Sequence, residues 1–309
     1  MSAAPLPQFV SLGEALTDLI TQGEEQWVSR VGGAPWNVAR VMARLGVSSA
    51  FAGAVSEDTF GNALARATEA AGLDMRFLQR NAHAPLLAIV HSLHPPKYFF
   101  VGDDSADLHF DPTALPQGWM SGVRSALVGG IALARPPVAG RLAGAAEQLK
   151  AAGARIYYDP NFRIAMDARY DPMLERMARL ADVIKVSDED LCGLFRTEDQ
   201  GAALARLRGF NPAAQILVTR GGEGASLLIG EQQWHARPPK ITVVDTVGAG
   251  DAFIGGFMHS HMQRAALPPE EHLRWAIAAG AAACLGPGAS PPTPEEVARI
   301  AAEAQVVPG

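Results

Sequence analysis

Hydrophobic and polar positions along the 309-residue chain switch between two rhythms. Short apolar runs of strand length alternate with alanine-rich runs of helical length. Residues 9–13 read as a first strand. Residues 36–45 read as a helix, with Pro35 in its opening turn, where a missing N–H costs little. Residues 49–55 form the next strand, and 59–71 a helix closed by Gly72. The alternation resumes with strand 126–130, helix 138–152, strand 155–159, helix 172–180, strand 182–186, helix 198–207 and strand 215–219. Helical runs at 249–263, 270–285 and 294–304 follow, and the tail 306–309 is expected to fray. Repeated strand-then-helix predicts an α/β fold, a parallel-rich central sheet flanked by helices in a single domain spanning 1–309.

Two stretches break the rhythm. Residues 15–31 and 73–101 are strand-like without a helical crossover. Residues 86–93 and 97–101 read as short antiparallel pieces around His94-Pro95-Pro96. The expectation is a small projecting β-sheet lid, formed by about 15–31 and 73–110. An edge hairpin with no closing role is the alternative.

Apolar residues make up 48% of the chain and charged residues 19%, enough to fill a sizeable core. The formal net charge is −6 and no basic stripe is visible, which speaks against a nucleic-acid partner. No run approaches the ~18 apolar residues of a membrane span. The first eight residues lack a basic segment followed by an apolar one. Cys192 and Cys284 sit in no metal or redox spacing and read as buried thiols in a reducing compartment. A soluble, cytoplasmic protein is expected.

Candidate chemistry concentrates in Val243-Val244-Asp245-Thr246-Val247-Gly248-Ala249-Gly250-Asp251-Ala252-Phe253. A strand ends near Asp245 and a helix starts near Ala249. Small residues there leave backbone N–H groups open, and those groups with the helix dipole favour a phosphate. Gly248, Ala249 and Gly250 would cradle a transferring phosphoryl group, and Asp251 would accept a proton from an attacking hydroxyl. Taken alone, the short motif also fits a helix-start acid that satisfies the dipole.

The run from Asp245 to Asp251 resembles the C-terminal signature of the ribokinase-like (PfkB) carbohydrate kinases. Gly32-Gly33-Ala34-Pro35-Trp36-Asn37-Val38-Ala39 resembles their N-terminal signature, and Gly46 and the run from Gly53 to Gly61 continue it. The resemblance implies a ribokinase-like sheet with a β lid, Asp251 as the catalytic base, and residues 248–250 as the anion hole. It implies that Gly32 and Gly33 let substrate lie against backbone. Asn37 and Asp18 would then bind sugar hydroxyls. A helix-surface amide and a hinge-turn acid are the alternatives for those two.

Thr219-Arg220-Gly221-Gly222-Glu223-Gly224 resembles the family's nucleotide loop, with Thr219, Gly221 and Gly224 beside ATP; a generic hairpin turn is the alternative. The run 278–285 is expected to flank adenine. Asn161 in Asp159-Pro160-Asn161-Phe162-Arg163 would reach a phosphate or its metal shell, and Arg163 a phosphate or anionic substrate, against a surface salt bridge. Lys185 would reach the phosphates or cover the strand end. Ser187 and Asp190 stand where many members carry Asn and Glu, so Asp190 would meet magnesium only through water. Mg²⁺ is implied by ATP itself. A monovalent cation, potassium, would use Asp245 and the carbonyl of Val247.

Gly129-Gly130-Ile131-Ala132-Leu133, Gly13-Glu14-Ala15-Leu16-Thr17-Asp18 and Ser105-Ala106-Asp107 are most similar to fructokinase-type members, which makes fructose the first substrate. Val101-Gly102 stands where many of these carry Tyr-Arg, which removes an arginine clamp. A 2-keto-3-deoxygluconate kinase, with Arg163 on the carboxylate, and a nucleoside kinase follow as alternatives. The rival of another class is a non-catalytic sugar or nucleotide sensor, whose mark would be loss of the acid at 251. A dehydrogenase would need G-x-G-x-x-G after the first strand, which is absent. The family resemblance also implies a homodimer through the lid.

Overall fold

The computed structural model describes residues 5–23, 25–93 and 96–309. Its elements run β1 (Phe9–Leu12), β2 (Leu16–Thr21), β3 (Trp27–Gly32), α1 (Ala34–Arg44), β4 (Ser49–Ser56), α2 (Thr59–Ala70), β5 (Leu78–Asn81), β6 (Leu87–Leu93) and β7 (Pro96–Val101). Then come β8 (Ser125–Gly129), α3 (Val138–Ala151), β9 (Arg155–Asp159), α4 (Asp171–Leu180), β10 (Val183–Ser187), α5 (Asp188–Phe195) and α6 (Gln200–Phe210). The chain closes with β11 (Gln215–Thr219), β12 (Ala225–Ile229), β13 (Gln232–Arg237), α7 (Ala249–Gln263), α8 (Pro269–Ala283), α9 (Pro294–Ala301) and β14 (Gln305–Pro308).

A ten-stranded sheet has the order β14-β13-β12-β11-β10-β9-β8-β1-β4-β5. The seven strands from β11 to β5 pair in parallel, and β12 to β14 extend that sheet antiparallel. Both faces are covered, so the central strands are apolar throughout; all eight residues of β4 are buried. Neighbouring residues serve opposite cores. Val10, Leu12, Ala50 and Ala52 pack toward α3 to α6, while Phe9 and Phe51 pack with Trp36, Phe253 and Phe257 of α1 and α7. Helix starts are fixed by side-chain caps: Asp58 accepts the amides of Phe60 and Gly61, and Ser187 with Asp190 forms a capping box on α5.

A separate four-stranded sheet, β3-β2-β6-β7, projects from this body. Its strands lie within 16–32 and 87–101. The earlier part of 73–110 instead supplies β5 to the main sheet, where Leu78 pairs with Gly53. Leu108 and Phe110 also leave the lid and enter the main core. Period-2 patterning cannot tell which sheet a strand joins, so the lid is narrower than expected. The turn expected at His94-Pro95 lies outside the described residues.

The tail is a second correction. Val306 and Val307 do not fray; they pair with Ala236 and His235 in β14. The exposed edge of β13 supplies unpaired backbone groups that a four-residue apolar-polar strand can satisfy. Strands β12 and β13 and helix α5 were not read from the pattern either. The first two follow a hairpin rather than a helix crossover, and α5 begins with three acids that carry no apolar period.

Candidate active site

Parallel strands bring their C-terminal ends to one edge, and there the conspicuous residues converge. Glu14 follows β1, Gly130 follows β8, Asn161 and Arg163 follow β9, and Thr219 closes β11. Two cavities open along this edge. The first, about 220 Å³, is lined by Glu14, Asp18, Asn37, Asn161, Arg163 and Asp251, with the lid above it. Pairing of Asp18 with Ala88, and of Ala88 with Phe100, puts these residues on one lid face, toward the cavity. The second, about 440 Å³ and more apolar, is lined by Thr219, Gly221 and Gly224 on one side and Ile277, Gly280, Ala281 and Cys284 on the other.

The start of α7 forms the partition between them. Gly248 and Asp251 face the first cavity, Ala249 and Gly250 the second. Gly248 sits at φ +81°, and a Cβ there would lie 2.7 Å from Ala289, so this turn demands glycine. Ala249 turns its amide onto the carbonyl of Thr246 at 3.2 Å. The amides of Gly250 and Asp251 meet no acceptor among the described residues, leaving them at the positive end of the α7 dipole.

Asp251 is held from α1. The side-chain amide of Asn37 donates to its Oδ2 at 2.9 Å. Arg40 donates weakly to Asn37 Oδ1 at 3.4 Å and to the carbonyl of Ala289 at 3.2 Å, and stacks on Trp36. The Asp251 carboxyl is raised above its ordinary pKa by burial, with Asn37, Lys185, Arg163 and Arg40 acting in opposition. A raised carboxylate is a better proton acceptor, as a base needs. Asn37 thus holds the acid directly.

Lys185 lies buried between Asp159, at 3.2 Å, and Asp190, at 4.0 Å. Burial pulls its ammonium down, but Asp159, Asp190 and Asp251 together lift it above its ordinary pKa. Its Nζ sits 3.4 Å from where a Cβ on Gly250 would be, so a fixed cation stands directly beside the α7 amides. Asp190 spends both oxygens locally: Oδ1 accepts the amide of Phe162 at 2.8 Å, and Oδ2 that of Ser187 at 2.7 Å. Asp245 does the same, accepting Val247 at 3.0 Å and Gly288 at 2.8 Å, and so ties the loop before α7 to the turn after α8.

Asn161 lies in the first cavity, not the second. Its left-handed φ of +47° turns its Oδ1 toward Arg163, which donates to it at 2.7 Å. Gly33 holds φ +111° at the start of α1; a Cβ there would meet the Glu14 carbonyl at 2.6 Å. A Cβ on Gly32 would meet Asp18 at 2.6 Å. Burial raises the Asp18 carboxyl to about 6, against Arg163.

Glu14 received no role from sequence, although it lies in a quoted run. It is 3% exposed, accepts the amide of Ala132 at 3.0 Å and lines the first cavity. Burial pushes its carboxyl up to about 7. An acid immediately after the first strand was the available signal. Arg40 and Asp159 were also passed over, because their roles depend on partners more than 20 positions away.

A sugar-sized polar cavity and a larger apolar cleft, separated by bare amides, a buried lysine and a buried acid, define a phosphoryl-transfer enzyme acting on a small hydroxyl compound. The pfkB family carbohydrate kinase model matches residues 7–296. A fructokinase of Klebsiella pneumoniae is 34% identical over 259 residues, 80% of this chain and 82% of that one. The structure of a Xylella fastidiosa fructokinase with bound ATP superposes with a TM-score of 0.88 at 28% identity, covering 96% of this chain and 99% of that one. Aminoimidazole riboside kinase from Salmonella enterica, complexed with aminoimidazole riboside and an ATP analog, gives 0.82 at 28% identity, covering 95% and 99%. The chain belongs to the pfkB family of carbohydrate kinases, and with it to the ATP-dependent sugar phosphotransferases. Its fold is the ribokinase-like α/β fold expected from the strand–helix alternation. No helix among the described residues is long and apolar enough to cross a membrane.

Proposed function

We propose that the enzyme phosphorylates fructose, with Asp251 as the base that accepts the hydroxyl proton. The observation that carries this reading is the partition: one helix start presents its acid to the polar cavity and its bare Gly250 amide to the apolar cleft. A sugar hydroxyl beside Asp251 and a γ-phosphoryl group over Gly250 would then be in line across a single turn. As the proton passes to the Asp251 carboxylate, the new O–P bond forms and the bond to ADP breaks. Charge growing on the phosphoryl oxygens meets the α7 amides and Lys185.

Asp18, Asn161, Arg163 and Gly32-Gly33 would hold the sugar, its hydroxyls meeting both donors and acceptors. Thr219, Gly221 and Gly224 would flank the nucleotide, and the small face of α8 would take the adenine. Magnesium fits as an ion carried by the phosphates, because both Asp190 oxygens already accept backbone amides. Potassium would sit against the Val247 carbonyl beside the charge of Asp245, whose two oxygens accept the amides of Val247 and Gly288. A second copy of the chain would pack on the outer lid face, where Trp27, Phe99 and Val101 are exposed.

The test is ADP release from ATP over fructose, glucose, ribose, 2-keto-3-deoxygluconate and nucleosides. Fructose should give the highest kcat/KM by at least about tenfold, a difference of roughly 1.4 kcal/mol in transition-state binding. A nucleoside or keto-deoxy acid in first place would overturn the substrate. No turnover with any hydroxyl compound would overturn the kinase.

A further inference from the structure

Outside the catalytic edge, three metal-ligating side chains meet at the root of the lid. His83 lies between β5 and β6, Asp104 follows β7, and His109 closes the short helical turn after it. Each offers one ligand atom, and these atoms all lie within 4.8 Å of one another. His109 Nε2 is 2.6 Å from Asp104 Oδ1, and His83 Nε2 is 4.0 Å from Asp104 Oδ2. In each ring it is Nε2 that lies near the carboxylate, and the two imidazoles stack with centroids 3.4 Å apart and planes 16° apart, so they would fan apart to share one ion.

The tautomer of His83 is set by its neighbour. Asn81 Nδ2 donates to the carbonyl of Ala106 at 3.1 Å, which fixes its Oδ1 as the atom facing His83. That oxygen accepts the His83 backbone amide at 3.1 Å and lies 3.1 Å from Nδ1. An acceptor there requires the proton on Nδ1, and the lone pair then sits on Nε2, facing Asp104. This is the arrangement that orients metal-binding histidines: the far nitrogen donates outward and the near one is free to ligate.

We propose that His83, Asp104 and His109 form a binding site for a divalent transition ion of the zinc class. Two imidazoles and one carboxylate suit zinc, cobalt or nickel, with water completing the shell. Magnesium and calcium prefer oxygen ligands and would not compete well for it. On binding, the His109 proton now facing Asp104 leaves Nε2, either to solvent or to the outward Nδ1. The site spans both strands that connect the lid hairpin to the body. Ala84 bridges Ser105 across the same root, and Ser105, Asp107 and Arg135 are joined just beneath it. An ion here would cross-link the entry and exit of the hairpin and restrain the lid that closes the first cavity.

The experiment uses the full chain stripped with a chelator and titrated with Co²⁺, read by visible absorbance, and with Zn²⁺, read by calorimetry. The expected result is one saturable site per chain that excess Mg²⁺ does not displace, with a rise in Tm on adding Zn²⁺. His83→Ala and His109→Ala should each abolish the cobalt bands and the Tm rise. Asn81→Ala should weaken binding by at least about tenfold through loss of orientation. All three residues are at the surface or partly so, and a far-UV spectrum matching the parent checks folding. Absence of saturable cobalt binding would overturn the proposal. So would a site of unchanged affinity in both histidine variants, which would place the ion elsewhere. The metal titration does not depend on which sugar the enzyme takes.

Discussion

Asp251→Asn isolates the proposed proton acceptor with the least disturbance to the fold. The substitution is isosteric, and the amide oxygen can still accept from Asn37, which stands at 2.9 Å. Steric change is therefore absent, and what is lost is basicity. General acid–base groups contribute typically ~10²–10⁴ in rate. At ~1.36 kcal/mol per decade, this is about 3–5.5 kcal/mol of barrier. Stability should move the other way. Burial raises the Asp251 carboxyl in the folded protein, so its stabilising contribution is full at acid pH, below the unfolded value. It is lost as pH rises through the raised folded value, where ionisation in the interior works against folding. The neutral amide avoids that cost, and the variant's Tm at neutral pH should equal or exceed the parent's. The assay pairs steady-state ADP release with thermal unfolding at the same pH. Turnover within tenfold of the parent, with sugar and ATP both saturating, would refute the role of Asp251. Lost turnover with a Tm lowered by many degrees would refute the argument that only basicity is removed.

Lys185→Met should leave Asp159 and Asp190 buried without their cation and destabilise the protein by about 3–5 kcal/mol, read by urea unfolding; a loss below 1 kcal/mol would show that the pair does not hold this region. Gly248→Ala places a side chain at φ +81° and against Ala289, so about 1–3 kcal/mol of strain and a fall in turnover of tenfold or more are expected, checked by Tm and kcat together. Glu14→Gln tests the pH linkage. The folded pKa of about 7 lies above the ordinary 4.5, so the parent's stability from this group is full below ~4.5 and fades as pH rises through ~7. The variant should match the parent near pH 4.5 and exceed it at pH 8 by up to about 3 kcal/mol, read as a Tm difference that grows with pH.

The strand–helix alternation was legible because both faces of the sheet are covered, and burial on both sides turns a strand into an unbroken apolar run. Where that condition fails, the pattern goes silent. Residues 232–237 form a half-exposed antiparallel strand, and 305–308 an edge strand, with no crossover helix to mark either. The turn at Gly248 to Asp251 was legible for a different reason. Glycines before helices are common and the four residues alone also fit a helix-start acid, so it was the longer run from Val243 to Phe253 that made the turn stand out. Asn37 was visible as a polar residue in a glycine-led helix start, but its partner, 214 positions away, was not. The same holds for Lys185, whose nearer acid, Asp159, lies 26 positions away at the end of β9.

The charges of the site explain why its residues are costly to keep and hard to replace. Glu14, Asp18, Asp159 and Asp251 are all lifted above ordinary carboxylate values by burial; Glu14 and Asp159 sit at the ends of β1 and β9, Asp251 opens α7, and Asp18 comes from β2 of the small sheet. Four strained carboxylates cannot be there for stability, since apolar residues of similar volume would fold more tightly. Arg163, Lys185 and Arg40 offset them only in part: Lys185 is committed to Asp159, and Arg163 makes its hydrogen bonds to the Asn161 side chain and to backbone carbonyls. A neutral polyol satisfies such acids by donating hydroxyl protons to them without adding charge. On the proposed reading, a phosphate would be disfavoured beside these acids and drawn to the Gly250 amide, which lines the apolar cleft with Lys185 beside it. Sugar and nucleotide would then be sorted by the sign of the charge on each side of one helix start.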